Sequence, residues 1–336
     1  MERAERINTK NYSGYLFVLI VITFIIAIVS LSFGSVNISF HKTIAIIFGS
    51  DEHSTASKII FGIRGPRILF AIAVGGGLSV AGAVFQAILL NPLAEPYILG
   101  ISSGGAFGAV LSFLLGLSFL STQIFAFSGA LIVITIVFLV GRRFGELEPD
   151  VLLLSGVMIG AFFASGILVM TTVLDNSLRT AILWLIGSLS FARNENLIYI
   201  LITTFVIVTI LVFNSQKYNV LSLGSESAKQ LGINTKFVKN TSYVLSSLLV
   251  GAIVSVSGII GFVGLIVPHV SRMLFGQDYR IIVPSSFFIG ASFLMLADTL
   301  ARYIVAPAEL PVGAITAIIG APIFIYLLRK RFTLYR

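Results

Sequence analysis

Apolar positions in this chain come in long unbroken blocks, with polar residues confined to the short stretches between them. Tyr15–Val29, Ile124–Val140, Leu197–Phe213 and Phe287–Leu296 are nearly free of charge. A bilayer core demands about 20 apolar residues per helix. A membrane β-barrel would instead alternate apolar and polar residues along each strand. The pattern predicts an all-α, polytopic membrane protein with about ten transmembrane helices. The spans fall near 13–35, 67–90, 97–116, 122–141, 150–173, 197–214, 241–260, 263–275, 282–303 and 311–328.

The polar stretches between the spans carry the topology. Placing the hydrophilic start, MERAERINTK, in the cytoplasm makes 36–66 and 174–196 external and 215–240 the longest internal loop. Fifteen Lys and Arg then lie inside (3, 6, 10, 142, 143, 217, 229, 236, 239, 272, 280, 329, 330, 331 and 336), and seven lie outside (42, 58, 64, 67, 179, 193 and 302). Cytoplasmic flanks carry the excess of Lys and Arg, so both termini are expected in the cytoplasm. The first apolar block is too long for the core of a cleavable signal, and no A-x-A-like site follows it. The whole chain, 1–336, reads as one transmembrane domain in the cytoplasmic (inner) membrane, in contact with lipid.

Composition narrows the chemistry. Of 336 residues, 57% are apolar and 11% charged, and the net charge is +8. The membrane topology accounts for that excess, so it does not imply nucleic acid. There is no cysteine, hence no disulfide framework and no thiolate metal site. His41, His53 and His269 are scattered, whereas a metal carrier needs several converging ligands. No metal site or cofactor is expected. The chain contains no Gly-Lys pair and thus no phosphate-binding loop of its own. Whatever drives the protein is therefore expected to be supplied by a partner.

Individual residues can be read locally. Asp298 is an ionisable group inside an apolar span, costly unless paired, and Arg302 lies one turn away as its nearest candidate partner. In the inner loop, Gly224 and Gly232 bracket the helical candidate SESAKQL, with Ser225 expected as N-cap and Gly232 as the stop. Small Ala228 would allow another surface to approach. In NPLAEP (91–96), Asn91-Pro92 ends one helix, and Pro96 suits the start of the next with Glu95 beside its positive dipole. Glu309-Leu310-Pro311 reads as a similar opening of the last span. The glycines of the spans, among them Gly75, Gly82, Gly104, Gly264 and Gly320, permit close helix packing.

Six stretches, IRGPR (63–67), GAVFQAILLNPLAEPYILGISSGGAFGA (82–109), LGSESAKQLGI (223–233), GFVGLIVPHVSRMLFGQDYR (261–280), LADTLAR (296–302) and ELPVGAITAIIGAPIFIYLLRK (309–330), together resemble the FecCD family of ABC importer permeases. Their order and spacing extend the resemblance over about 13–331. Gly65 departs from the bulky apolar residue usual there, while the flanking arginines stay in place.

The resemblance implies a transport subunit, not an enzyme, that pairs with a second permease as a homodimer or heterodimer. It implies two cytoplasmic ATPase subunits and an extracytoplasmic solute-binding protein carrying an iron–siderophore complex, haem or cobalamin. It assigns Arg64, Arg67 and Arg302 to binding-protein docking, and Ser225, Ala228, Leu231 and Gly232 within 215–240 to ATPase coupling. It places the translocation path along 150–173 and 311–328, where Met158, Phe162, Met170, Thr316 and Ile319 are candidate lining. The alternative reading is an ion-coupled secondary transporter, which requires several paired ionisable residues at mid-membrane. A divalent-metal permease would require more His and acidic residues in the spans, and a purely structural protein would leave the loop and the arginines unexplained.

Overall fold

The computed structural model describes residues 12–49, 54–143, 145–174, 177–191 and 194–333. The cationic start (Arg3, Arg6, Lys10), His53, Arg193 and Arg336 lie outside the described residues. Helix α1 (Tyr12–Ser32) is followed by the short α2 (Phe40–Ile47) and α3 (Thr55–Ile59), a π turn (Ile60–Arg64) and α4 (Gly65–Ile88). Next come α5 (Ile101–Leu114), α6 (Phe119–Val140), α7 (Pro149–Thr171), α8 (Leu178–Ile186) and α9 (Asn194–Phe213). After α10 (Ser215–Leu221) and α11 (Ser225–Gln230), the chain closes with α12 (Thr235–Ser257), α13 (Val263–Phe275), α14 (Tyr279–Tyr303) and α15 (Val312–Thr333). A two-residue hairpin, Arg142–Arg143 against Glu146–Leu147, joins α6 to α7.

An apolar helix stands at each of the ten expected places. Seven are long and apolar enough to cross a membrane, and Ile101–Leu114, Val263–Phe275 and Val312–Leu327 are shorter apolar helices. The expected start at residue 67 is displaced, because helical turns run unbroken over Thr55–Ile88. Proline lacks an N–H and disrupts a regular helix interior. Here the π turn immediately precedes Gly65-Pro66 and accommodates the proline.

Helix α4 is the hub of the fold. Nearly all its side chains are buried, with α9, α12, α13 and α14 packed around it. The glycines explain how so many helices fit. A Cβ on Gly82 would collide with the backbone of Gly264 in α13, and one on Gly75 with the backbone of Gly290 in α14. Without a hydrophobic drive between helices in lipid, such backbone contact is what holds them together. Helices α5 and α6 form a second close pair through Gly104, Gly108 and Gly129.

Two non-helical links lie against this packing. Pro96 opens a single 3-10 turn, Pro96–Leu99, and Gly100 turns left-handed before α5 begins. Glu95 does not serve that helix start. Its Oε1 accepts from the backbone N–H of Phe262 at 2.8 Å, and Tyr97 Oη accepts from Ile260 N–H at 3.1 Å. Phe262 has φ 69°, a left-handed conformation that a bulky residue adopts only under constraint. Buried backbone N–H groups need hydrogen-bond partners, and Glu95 and Tyr97 supply them here.

Candidate functional site

Functional candidates gather at the two ends of α4, whose 24 residues separate them by about 36 Å at 1.5 Å per residue. At the Gly65 end, Arg67 faces α14. Its Nε donates to Asp298 Oδ1 at 2.9 Å and Oδ2 at 3.1 Å, and its Nη1 donates to Glu309 Oε2 at 2.7 Å. Arg302 Nε donates to the same Asp298 at 3.0 Å, so the expected i,i+4 pair is present as part of a larger network. Ser190 Oγ completes the ring by donating to Glu309 Oε2 at 2.9 Å.

The remaining guanidinium donors turn toward α1. Arg64 Nη1 donates to the carbonyls of Leu31 at 2.5 Å and Ser32 at 3.1 Å, and its Nη2 bonds Val36 O. Arg302 reaches Phe33 O at 3.2 Å and Ser30 O at 3.4 Å. The last carbonyls of a helix lack internal donors, and its C-terminus favours positive charge. Two of the three docking candidates thus cap α1. All three arginines are buried, as is Asp298 at 2% exposure, while the Glu309 side chain is 34% exposed.

Glu309 was expected to serve the start of α15, but it is spent on Arg67 and Ser190. Burial pushes its carboxyl up, yet the hydrogen bond and charge of Arg67, with Ser190 assisting, hold it below the usual range. Sequence reasoning missed both Glu309 and Ser190 as partners of Arg67. The separation of 242 residues in the Arg67–Glu309 pair leaves no local pattern to find.

At the Ile88 end, Gly224 (φ 99°) precedes α11 and Gly232 (φ 81°) follows it as the expected stop. Ser225 is not the N-cap. The helix begins on it, and its Oγ accepts from Lys239 Nζ at 2.8 Å. Ala228 is fully buried within the chain, so its small size serves internal packing, whereas Leu231 is 63% exposed. Glu146, Glu148, Asp150, Ser225 and Lys229 help line a cleft of about 630 Å³ beside this segment. Asp278 ties the region together. It accepts from Tyr12 Oη and Asn219 Nδ2, each at 2.7 Å, while Asn219 Oδ1 accepts from Tyr279 N–H at 2.7 Å. Its place as the N-cap of α14 was the signal available in GQDYR.

Between the ends, α7 turns an apolar face outward. Met158 and Phe162 are 64% and 73% exposed, while Met170 packs partly against Val110, Leu174 and Ala181. On α15 Ile318, Ile325 and Tyr326 face outward, with Ile319 half-buried. Thr316 is enclosed, donating to Gly313 O at 3.0 Å, and therefore offers nothing to an open path along this chain. Among the described residues, no three His, Cys, Asp or Glu side chains come together.

Comparison with known proteins adds four findings. The model of the FecCD transport family matches residues 20–330. The haemin transport system permease protein HmuU of Yersinia pestis is 37% identical over 335 residues, covering 97% of each chain. The cobalamin import system permease protein BtuC of Halobacterium salinarum is 39% identical, over 84% of this chain and 76% of its own. A solved structure described as an inward-facing conformation of a metal-chelate type ABC transporter superposes with a TM-score of 0.84. It shares 33% identity and covers 95% of this chain and 99% of its own.

Proposed function

Since the chain belongs to the FecCD transport family, we propose that it moves a bulky metal chelate, an iron–siderophore complex, haem or cobalamin, across the cytoplasmic membrane. It is a multi-pass membrane protein and the permease subunit of an ABC importer. In the proposed topology the chain crosses ten times with both termini in the cytoplasm. The Gly65 end of α4 is then external and receives a solute-binding protein, with Arg67 at the mouth and Arg64 and Arg302 behind it. The Ile88 end is internal. There Gly224–Gly232, with Leu231 exposed, meets one of two ATPase subunits and passes its movement to α12 and α14. A second permease subunit faces α7 and α15. The path between the subunits is lined by Met158, Phe162 and Ile318, with Met170 and Ile319 at its edges.

The placement of buried charge carries this reading. Arg64, Arg67, Asp298 and Arg302 lie at one end of the bundle and Lys239 at the other. An ion-coupled carrier needs paired ionisable groups along its route, whereas a permease driven by an ATPase does not. The apolar wall of α7 suits a large cargo that must pass without being held. The test is uptake into proteoliposomes containing this chain, its ATPase and its binding protein. Uptake is expected to require ATP and both partners, and uptake that persists without the ATPase would overturn the reading.

A further inference from the structure

We propose that Glu309 is a built-in competitor for docking: in the free protein it occupies Arg67 and Ser190, and it leaves them when the side-chain carboxylate of the docking protein takes its place. This rests on the docking reading given above.

The geometry divides the two carboxylates on Arg67 by mobility. Asp298 is 2% exposed and holds both Arg67 and Arg302. Removing it would leave two guanidiniums uncompensated inside the protein, so it stays. Glu309 holds Arg67 through Nη1 alone and belongs to the exposed stretch Tyr303–Glu309. It can leave without exposing the core.

The site left behind is complete for an incoming carboxylate. Arg67 Nη1 and Ser190 Oγ already converge on one oxygen, Glu309 Oε2, at 2.7 and 2.9 Å. A guanidinium and a hydroxyl aimed at one point form a charge-assisted pair of donors. Charge balance favours the approach of a carboxylate. Three guanidiniums, Arg64, Arg67 and Arg302, accompany two carboxylates, Asp298 and Glu309, so an approaching partner meets one positive charge in excess. The guanidiniums of Arg64 and Arg302 both crowd Gly34, which concentrates that excess near the mouth.

The exchange also has somewhere to act. Glu309 lies three residues before Val312, the first residue of α15. Gly313 N–H in turn donates to Gly187 O at 3.1 Å, beside the turn that carries Ser190. Releasing Glu309 therefore removes one of two ties between the approach to α15 and the Ser190 turn, the Gly313–Gly187 bond being the other, and docking outside is felt beside a helix that borders the proposed path.

The experiment measures docking of the solute-binding protein encoded beside the permease to the assembled transporter in nanodiscs, across a salt series. If Glu309 competes for the site, Glu309→Gln tightens docking roughly three- to tenfold, the scale of one rim charge pair, with the gain shrinking as salt rises. Glu309→Asp, which keeps the charge but falls short of Arg67, gives a smaller gain and decides the matter should the Gln variant not fold. Unchanged or weaker docking by both folded variants overturns the proposal, as expected of a merely structural Glu309. Arg67→Gln separates the two levels. Docking that ignores this change, or is absent in the parent protein, overturns the docking reading and the exchange with it. Docking lost in Arg67→Gln but unaltered by the Glu309 variants overturns only the exchange.

Discussion

At the Gly65 end of α4, Arg64, Arg67, Asp298 and Arg302 are all under 10% exposed, and their bonds cross between α1, α4 and α14. At the Ile88 end, with Lys239 and Asp278 as exceptions, charged side chains sit in water. Glu226 is 86% exposed, Lys229 41% and Arg280 44%. Charges of the first kind cannot be hydrated if a partner is lost, so they lock helices into one arrangement. Those of the second kind can exchange water for another protein at little cost. One end is built as a clamp with a single loose member, Glu309, and the other as a contact surface.

The largest effect that should separate the two ends comes from Asp298→Ala. Breaking a buried pair by removing one partner typically costs about 3–5 kcal/mol, because the abandoned charge stays buried. Two guanidiniums share Asp298, so the variant should melt well below the parent in detergent and accumulate poorly in membranes. Replacing Arg67 and Asp298 together by apolar residues of similar volume should recover part of the loss. Equal loss in the double variant would mean that the cost is packing and not charge.

This clamp marks where the sequence stopped being readable. The apolar helices were legible because lipid imposes one requirement along the whole length of a span. Asp298–Arg302 was legible as well, since four residues is one helical turn. Arg67–Asp298 was not, because the two lie 231 residues apart and only the packing of α4 on α14 brings them together. That Thr316 is enclosed was not legible for a related reason. The apolar run 311–328 has no polar stripe to orient it, so which positions face inward depends on Gly320 seating against Phe262 and Ile266. Ser225 looked like a cap from its place after Gly224, but the partner that claims it, Lys239, comes from the next helix.

An intermediate effect is expected at Asp278, the one half-buried carboxylate of the Ile88 end that joins three elements. Burial raises its carboxyl, but hydrogen bonds from Arg280, Tyr12 and Asn219 outweigh that and hold it far below the ordinary aspartate range. A carboxyl depressed on folding stabilises the protein above its unfolded pKa, and that contribution disappears as pH falls through the folded value. Asp278→Asn should therefore lose about 1–3 kcal/mol near neutrality, the usual worth of hydrogen bonds to a charged group. Melting curves of variant and parent should draw together as the pH drops below about 4, the unperturbed aspartate value. Curves that stay parallel from neutral to acid pH would show that the carboxylate charge is not what holds α1, α10 and α14 together.

The smallest effect on stability belongs to Lys229, which lies 3.2 Å from Glu146 Oε1 and 3.3 Å from Glu226 Oε1. The hydrogen bond to Glu146, followed by that to Glu226, raises its pKa. The ammonium is nevertheless open to solvent, and exposed pairs of this kind are screened and contribute little to folding. Lys229→Ala should melt indistinguishably from the parent. Its consequence should appear only in assembly. The variant leaves Glu146 and Glu226 uncompensated beside the cleft, so co-purification of the ATPase should change at low salt and return to the parent level as salt is raised. A melting loss approaching that of Asp298→Ala would erase the contrast between the ends, because the Ile88 end would then be held by its charges as firmly as the Gly65 end is.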